Sequence, residues 1–209
     1  MKLQLAMDFC KTYGAAKAIL GEVGSYVDII ELGTPLLMEN GLDIIREAKK
    51  DFPDKLILAD LKIMDAGRYE TEEALKMGAD IVTVMAVTED ETIRAAVRCA
   101  DEYGKKIMVD LLAVKDVEAR IEAMDGLGVG YICMHTSKDL QRDGMNMAET
   151  FGKYKSFVKH AGIALAGGIK AETVADYAQL EPEIIIVGEG IMSQPDRRLS
   201  AMTIKNAMR

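Results

Sequence analysis

The chain has 209 residues, 49% of them hydrophobic, which suits one globular domain with a sizeable core and excludes the disordered and fibrous classes. Thirty-four acidic against 26 basic residues give a net charge of −8, which argues against a nucleic-acid partner, because a phosphate backbone selects a basic face. Cys10, Cys99 and Cys133 follow no CxxC or metal-ligand spacing, residues 1–8 lack the long apolar stretch of a signal peptide, and no apolar run approaches the roughly 18 residues of a membrane span, so the sequence reads as cytoplasmic, with no membrane contact.

Along the chain, short aliphatic runs alternate with longer stretches of helical spacing. The first run, 3–7, ends in Asp8 and precedes a predicted helix over 14–23. The second, 27–32, contains Glu31 and leads through Gly33-Thr34 to a helix over 38–50, after which Pro53 marks a turn. The third, 56–61, continues as Asp60-Leu-Lys62-Ile-Met-Asp65, and its helix, 68–77, is closed by Gly78. The fourth, 81–84, precedes a helix over 90–103, with Thr88 or Asp90 as cap and Gly104 as stop. The fifth, 107–111, carries Asp110 and precedes a helix over 115–125, stopped by Gly126 and Gly128; the sixth, 131–134, ends at His135 and precedes a helix over 147–160. The seventh, 163–166, ends in Gly167-Gly168 before a helix over 171–180. The eighth, 184–187, ends in Gly188-Glu189-Gly190 before a helix over 196–208.

Eight such units imply a parallel sheet, and the number favours closure into a single-domain (β/α)8 TIM barrel over 1–209. An open doubly wound sheet would be supported by a GxGxxG turn after the first strand, and there is none. In a barrel the chemistry sits at the C-terminal strand ends. Here seven of eight strands end in a charged residue, a histidine or a glycine.

Each of these residues also has a plain structural reading. Asp8 and Asp110 could be helix N-caps, each contributing about 1 kcal/mol, or site residues, and both readings stand. Glu31 and Asp60 follow tight aliphatic runs, so as ionised groups they need partners. Asp60 and Lys62 are two apart on a strand and face the same way, which makes them an ion pair or, with Glu31 and Asp65 near, a catalytic cluster. His135, beside carboxylates, suits a proton shuttle near neutral pH, whereas His160 falls at the opposite end of the barrel and reads as structural. Gly167, Gly168 and Gly188 end the last two strands, where barrel loops commonly bind phosphate through backbone N–H groups. The fourteen methionines read as core filler.

Asp60-Leu-Lys62-Ile-Met-Asp65 resembles the Asp-x-Lys-x-x-Asp signature of the orotidine 5′-monophosphate decarboxylase suprafamily. The likeness runs the length of the chain: Leu-Gln-Leu-Ala-Met-Asp8, Ile-Ile-Glu31-Leu-Gly-Thr-Pro, Gly-Ala-Asp80-Ile-Val-Thr-Val, His135-Thr-Ser-Lys-Asp-Leu-Gln and Ala166-Gly-Gly-Ile. Within the suprafamily it is most similar to the 3-hexulose-6-phosphate synthases, aldolases that join formaldehyde to D-ribulose 5-phosphate. The 3-keto-L-gulonate-6-phosphate decarboxylases are their near relatives. The resemblance implies a Mg2+ ion, or Mn2+, held by Glu31 and Asp60, a catalytic Lys62, and an Asp65 that reaches into the partner subunit's active site, hence a homodimer. It also implies that Asp8, Asp110 and His135 line a phosphorylated sugar, with Gly167, Gly168, Gly188 and Glu189 at its phosphate. The decarboxylase branch tends to carry arginines where this chain has Lys138 and Glu189, and their loss favours the synthase branch. A carboxylate beside a phosphate repels it, so the Glu189 side chain is expected to point away. A non-catalytic phosphosugar-binding barrel would account for the glycines but not for the convergence of Glu31, Asp60, Lys62, Asp65 and His135.

Overall fold

The two-residue period of a strand organises the molecule from its first element. In β1 (Lys2–Ala6) and the residues just after it, Leu3, Leu5 and Met7 pack outward against helices, while Gln4, Ala6 and Asp8 point inward. Seven further strands repeat the pattern: β2 (Ile29–Leu32), β3 (Leu56–Ile63), β4 (Ile81–Met85), β5 (Lys106–Asp110), β6 (Tyr131–His135), β7 (Gly162–Ala166) and β8 (Ile184–Val187). All pair in parallel with their sequence neighbours, and β8 pairs with β1, closing the expected eight-stranded barrel. The computed structural model describes residues 1–141 and 147–209.

Helices α1 (Tyr13–Val23), α2 (Thr34–Asn40), α3 (Asp43–Asp51), α4 (Gly67–Lys76), α5 (Asp90–Glu102), α6 (Val117–Gly126), α7 (Ala148–Lys155), α8 (Val174–Ala178), α9 (Glu189–Met192) and α10 (Arg197–Ala207) connect the strands. The helix expected over 38–50 is two helices, because Pro35 supports an earlier first turn for α2 and the chain breaks at Gly41. Strand β2 begins at Ile29, two residues later than its apolar run, and just before it the Asp28 carboxylate accepts the Leu3 N–H at 2.7 Å and anchors the barrel's lower rim.

Inside the barrel, Ala6, Ile29, Leu58, Ile81, Met108, Cys133, Ala164, Ile184 and Ile186 form an apolar plug. A larger shell of aliphatic side chains outside it buries the helices against the sheet. Polar inward residues collect above the plug, at the C-terminal strand ends, so the filled lower barrel is the floor of whatever lies at the top.

At the opposite rim Asp80 fixes the start of β3, the strand that carries Asp60 and Lys62. Its carboxylate accepts the Ile57 N–H at 2.9 Å, Lys49 Nζ at 2.8 Å and Lys105 Nζ at 2.5 Å. Burial alone would raise this carboxyl, but the bonds from Lys105, Lys49 and Ile57 more than offset it and hold it below the usual range. Asp80→Ala is expected to lower the unfolding free energy by roughly 2–4 kcal/mol, with the lysines' partial exposure moderating the loss. Because the folded-state pKa is depressed, the difference from wild type should be full at neutral pH and shrink as the pH falls below about 4. Urea titrations across pH measure both.

Candidate active site

A cavity of about 690 Å3 opens at the C-terminal ends of the strands. Asp8, Glu31, Asp60, Lys62, Asp110 and His135 line it, with Gly167, Gly168, Gly188 and Glu189. Ten of the eleven residues singled out from the sequence thus meet around one space, and Asp65 is the one that does not. Asp65 is exposed, accepts the Ala66 N–H at 2.7 Å, and stands outside the lining of its own chain's cavity.

Strand β3 makes the centre of the site by departing from regular geometry. Its pairing with β4 runs Ala59 to Val82 and then Ile63 to Val84, four residue steps against two. Lys62 absorbs the excess with φ of 50°, in the left-handed region that costs a lysine of order 1 kcal/mol or more. The Thr83 hydroxyl holds this bulge, accepting the Lys62 N–H at 2.9 Å and donating to Asp60 Oδ1 at 2.8 Å. Asp60 Oδ2 is engaged by Lys62 Nζ and lies 2.8 Å from Thr34 Oγ1, which in turn accepts from Lys62 Nζ at 3.2 Å. At 3% exposure Asp60 is a buried carboxylate with every oxygen satisfied. Burial pulls the Lys62 ammonium down, but the Asp60 charge and hydrogen bond more than offset it, so the group titrates above the usual lysine range and stays cationic.

Glu31 is in the opposite condition. It is 8% exposed, and among the described residues its carboxylate accepts one hydrogen bond, from Gln4 Nε2 at 2.7 Å. Burial, then Asp60 and Asp8, push its pKa well above the ordinary glutamate value. Asp8 is raised for the same reasons, burial first and Asp60 second. Among the described residues, three carboxylates, Asp8, Glu31 and Asp60, thus share the Lys62 ammonium. That uncompensated negative charge on oxygen donors suits a hard divalent cation, which needs only one or two carboxylates and fills its other positions with water or substrate.

On the far side of the cavity, Asp110 Oδ1 accepts the Leu112 N–H at 2.8 Å and Oδ2 lies 2.8 Å from His135 Nδ1. The pairing fixes the ring and, with a proton on Nδ1, leaves Nε2 as acceptor. Asp110, Cys133 and His135 each offer a ligand atom within 4.8 Å of the other two. Burial pushes the Cys133 thiol well above its usual pKa.

Gly33 and Gly167 are among the glycines dictated by close approach. A Cβ on Gly33 would lie 2.3 Å from Asp8 Oδ1, so only glycine lets Asp8 stand at the cavity. Gly167 has φ of 108°, and a Cβ there would meet Thr136 O at 2.5 Å. The Glu189 carboxylate, rather than standing alone near the glycines, is paired with Lys138 Nζ at the rim. His160 lies far below, its N–H bonded to Asp125.

Gln4, Thr34, Thr83 and Cys133 escaped the sequence reading. Gln4 had a signal, as a polar residue inside an apolar strand; the threonines had none, since threonine is ordinary in strands and at helix starts.

Comparison with known proteins places this geometry. The model of the orotidine 5′-phosphate decarboxylase / HUMPS family matches residues 1–204. A 3-hexulose-6-phosphate synthase of Bacillus subtilis (strain 168) is 46% identical over 205 residues, 98% of this chain and 97% of the relative. The crystal structure of 3-hexulose-6-phosphate synthase from Salmonella typhimurium superposes with a TM-score of 0.96 at 39% identity, covering 100% of this chain and 98% of that one. A crystal structure of KGPDC from Streptococcus mutans superposes at 0.90 with 25% identity, covering 99% of this chain and 96% of that one.

Thr83→Val keeps the shape of the side chain but leaves Asp60 Oδ1 and the Lys62 N–H short of a buried partner. It is expected to destabilise the fold by about 2 kcal/mol, while Thr83→Ser, which keeps the hydroxyl, should lose less than about half of that. Chemical denaturation of the three proteins side by side decides it; equal stability of the valine variant and wild type would remove Thr83 from this role.

Proposed function

Because the chain belongs to the orotidine 5′-phosphate decarboxylase / HUMPS family, we propose that it works as a 3-hexulose-6-phosphate synthase, a lyase that condenses formaldehyde with D-ribulose 5-phosphate through a 1,2-enediolate. The observation that carries the reading is the arrangement of Asp8, Glu31 and Asp60 around the Lys62 ammonium, in a chain 46% identical to a protein of that name. Glu31 and Asp60 would hold Mg2+ or Mn2+, which supplies charge stabilisation to two neighbouring oxygens as they become negative.

The chain's own groups account for the remaining chemistry. Lys62, held cationic by Asp60, sets a fixed positive charge in a partly buried site, where it counts for more than in bulk water. His135, its ring held by Asp110, turns Nε2 to the sugar and takes a proton from C1. The C1 carbon of the enediolate then attacks formaldehyde; one carbon–carbon bond forms, and the aldehyde oxygen takes up a proton. The backbone around Gly167, Gly168, Gly188 and Glu189 holds the phosphate, and the pairing of Glu189 with Lys138 reduces the repulsion its carboxylate would exert. Asp8 completes the wall against the sugar.

The active unit is a homodimer. Asp65 faces away from its own cavity and would reach the partner's site. Phe9, Met38, Met64, Tyr69 and Val87, on the segments following β1 to β4, leave apolar surface at the cavity end of the barrel for a second copy to cover. No helix among the described residues is long and apolar enough to cross a membrane. All three cysteines are free, in keeping with a reducing cytoplasm.

Mixing the protein with ribulose 5-phosphate, formaldehyde and Mg2+ should consume formaldehyde, and EDTA should stop it. CO2 release from 3-keto-L-gulonate 6-phosphate without formaldehyde consumption would instead assign the chain to the decarboxylase branch. A thermal melt tests the metal ligands independently of turnover. Mg2+ should raise the melting temperature of wild type, whereas Glu31→Gln, relieved of one repelling carboxylate, should melt no lower than metal-free wild type and respond little to Mg2+. An unchanged Mg2+ response in that variant would remove Glu31 from the metal.

A further inference from the structure

Strand register builds a second set of metal donors beside the first. Asp110 on β5 is the pairing partner of Cys133 on β6, and His135, two residues on, projects to the same inward face as Cys133. Three different ligand atoms, a carboxylate oxygen, a thiol sulfur and an imidazole nitrogen, therefore come within 4.8 Å of one another. Cys133 is 3% exposed, yet it lines the cavity, so an ion entering from the mouth reaches its sulfur. Nothing in the sugar chemistry uses that thiol.

The donor chemistry separates this set from Glu31 and Asp60. Two carboxylates suit a hard cation that keeps its waters, whereas sulfur with imidazole and one carboxylate suits Zn2+ and its heavier congener Cd2+. Three protein ligands with the remaining position turned to open space is the composition of an open rather than a closed zinc site. We propose that Asp110, Cys133 and His135 form a separate site for a thiophilic divalent cation, and that its occupation withdraws the His135–Asp110 pair from the cavity's chemistry. Binding breaks the Cys133 S–H bond; the proton goes to solvent and the sulfur's electron pair goes to the metal. The protein is then open to inhibition by zinc-like ions while Mg2+ remains in place.

Cd2+ is the direct probe, because a cadmium–thiolate bond adds a charge-transfer band in the ultraviolet whether or not the protein turns over any sugar. Titrated into the protein with saturating Mg2+ present, Cd2+ should raise this band to a plateau at one ion per chain. The Cys10→Ala/Cys99→Ala double variant should give the same plateau, and Cys133→Ala none. His135→Ala should keep the thiol but need at least about tenfold more Cd2+ to reach half-saturation, the scale on which even an outer partner of a metal ligand counts. No band in wild type, or a band that survives in Cys133→Ala, would overturn the site. A band in His135→Ala with unchanged half-saturation would reduce it to a bare thiol adduct and overturn it equally. Should Cys133→Ala fail to fold by circular dichroism, the double variant and His135→Ala still decide. The readout is spectroscopic, so the site can fail with the synthase reading intact, and the reverse.

Discussion

The carboxylate of Asp60 sets the terms for everything around it. A buried carboxylate must have its lone pairs filled, or it costs several kcal/mol and takes up a proton instead. Here the donors come from three successive strand ends: Thr34 beyond β2, Lys62 on β3 itself and Thr83 on β4. For Lys62 to contribute, β3 must bulge and the lysine must adopt a left-handed backbone, and Thr83 ties that bulge down through the Lys62 N–H. The strain is thus fixed by the same hydroxyl that fixes the charge, as expected where local geometry is dictated by a site rather than by the strand.

The barrel makes this arrangement rigid by dividing the labour of each strand. Outward residues bury the helices, inward residues low in the barrel fill its interior, and inward residues at the top are free to be polar because the cavity opens above them. The lower rim is tied by carboxylates of its own, Asp28 to the start of β1 and Asp80 to the start of β3. Strand β3, strained at its top, is among those fastened at its base.

Around the mouth the charges are distributed unevenly. Among the described residues, the β1 to β3 side holds Asp8, Glu31, Asp60 and the ammonium of Lys62, an oxygen-rich and over-negative cluster suited to a hard cation. The β5 and β6 side holds a carboxylate, a thiol and an imidazole in close register. Two donor sets of different softness therefore share one cavity, the first proposed to hold the hard cation of the reaction and the second proposed to take an ion that interrupts it. At the rim, the pairing of Lys138 with Glu189 offsets a carboxylate whose charge would be at odds with the proposed phosphate.

The apolar runs were sufficient to give the eight strands of the βα units, because alternation and run length are local properties that burial on two faces imposes on any sequence, and the number of units favoured closure over an open sheet. The strand ends were legible for a related reason: where a strand leaves the core, charge becomes tolerable, so Asp8, Glu31, Asp60, Asp110 and His135 stand out against aliphatic neighbours. Tertiary structure alone decided which of these groups touch. Asp60 meets Thr83 across 23 residues and Thr34 across 26, Glu31 meets Gln4 across 27, and Asp110 meets His135 across 25. No local pattern encodes such pairs, because strand register sets them. The direction of Asp65 was likewise beyond the sequence, since a left-handed turn at Ala66 follows it and its carboxylate caps that residue's N–H outside the cavity. A strand's composition states that it will be buried and where charge can appear on it; only closure of the barrel determines which charges must then satisfy one another.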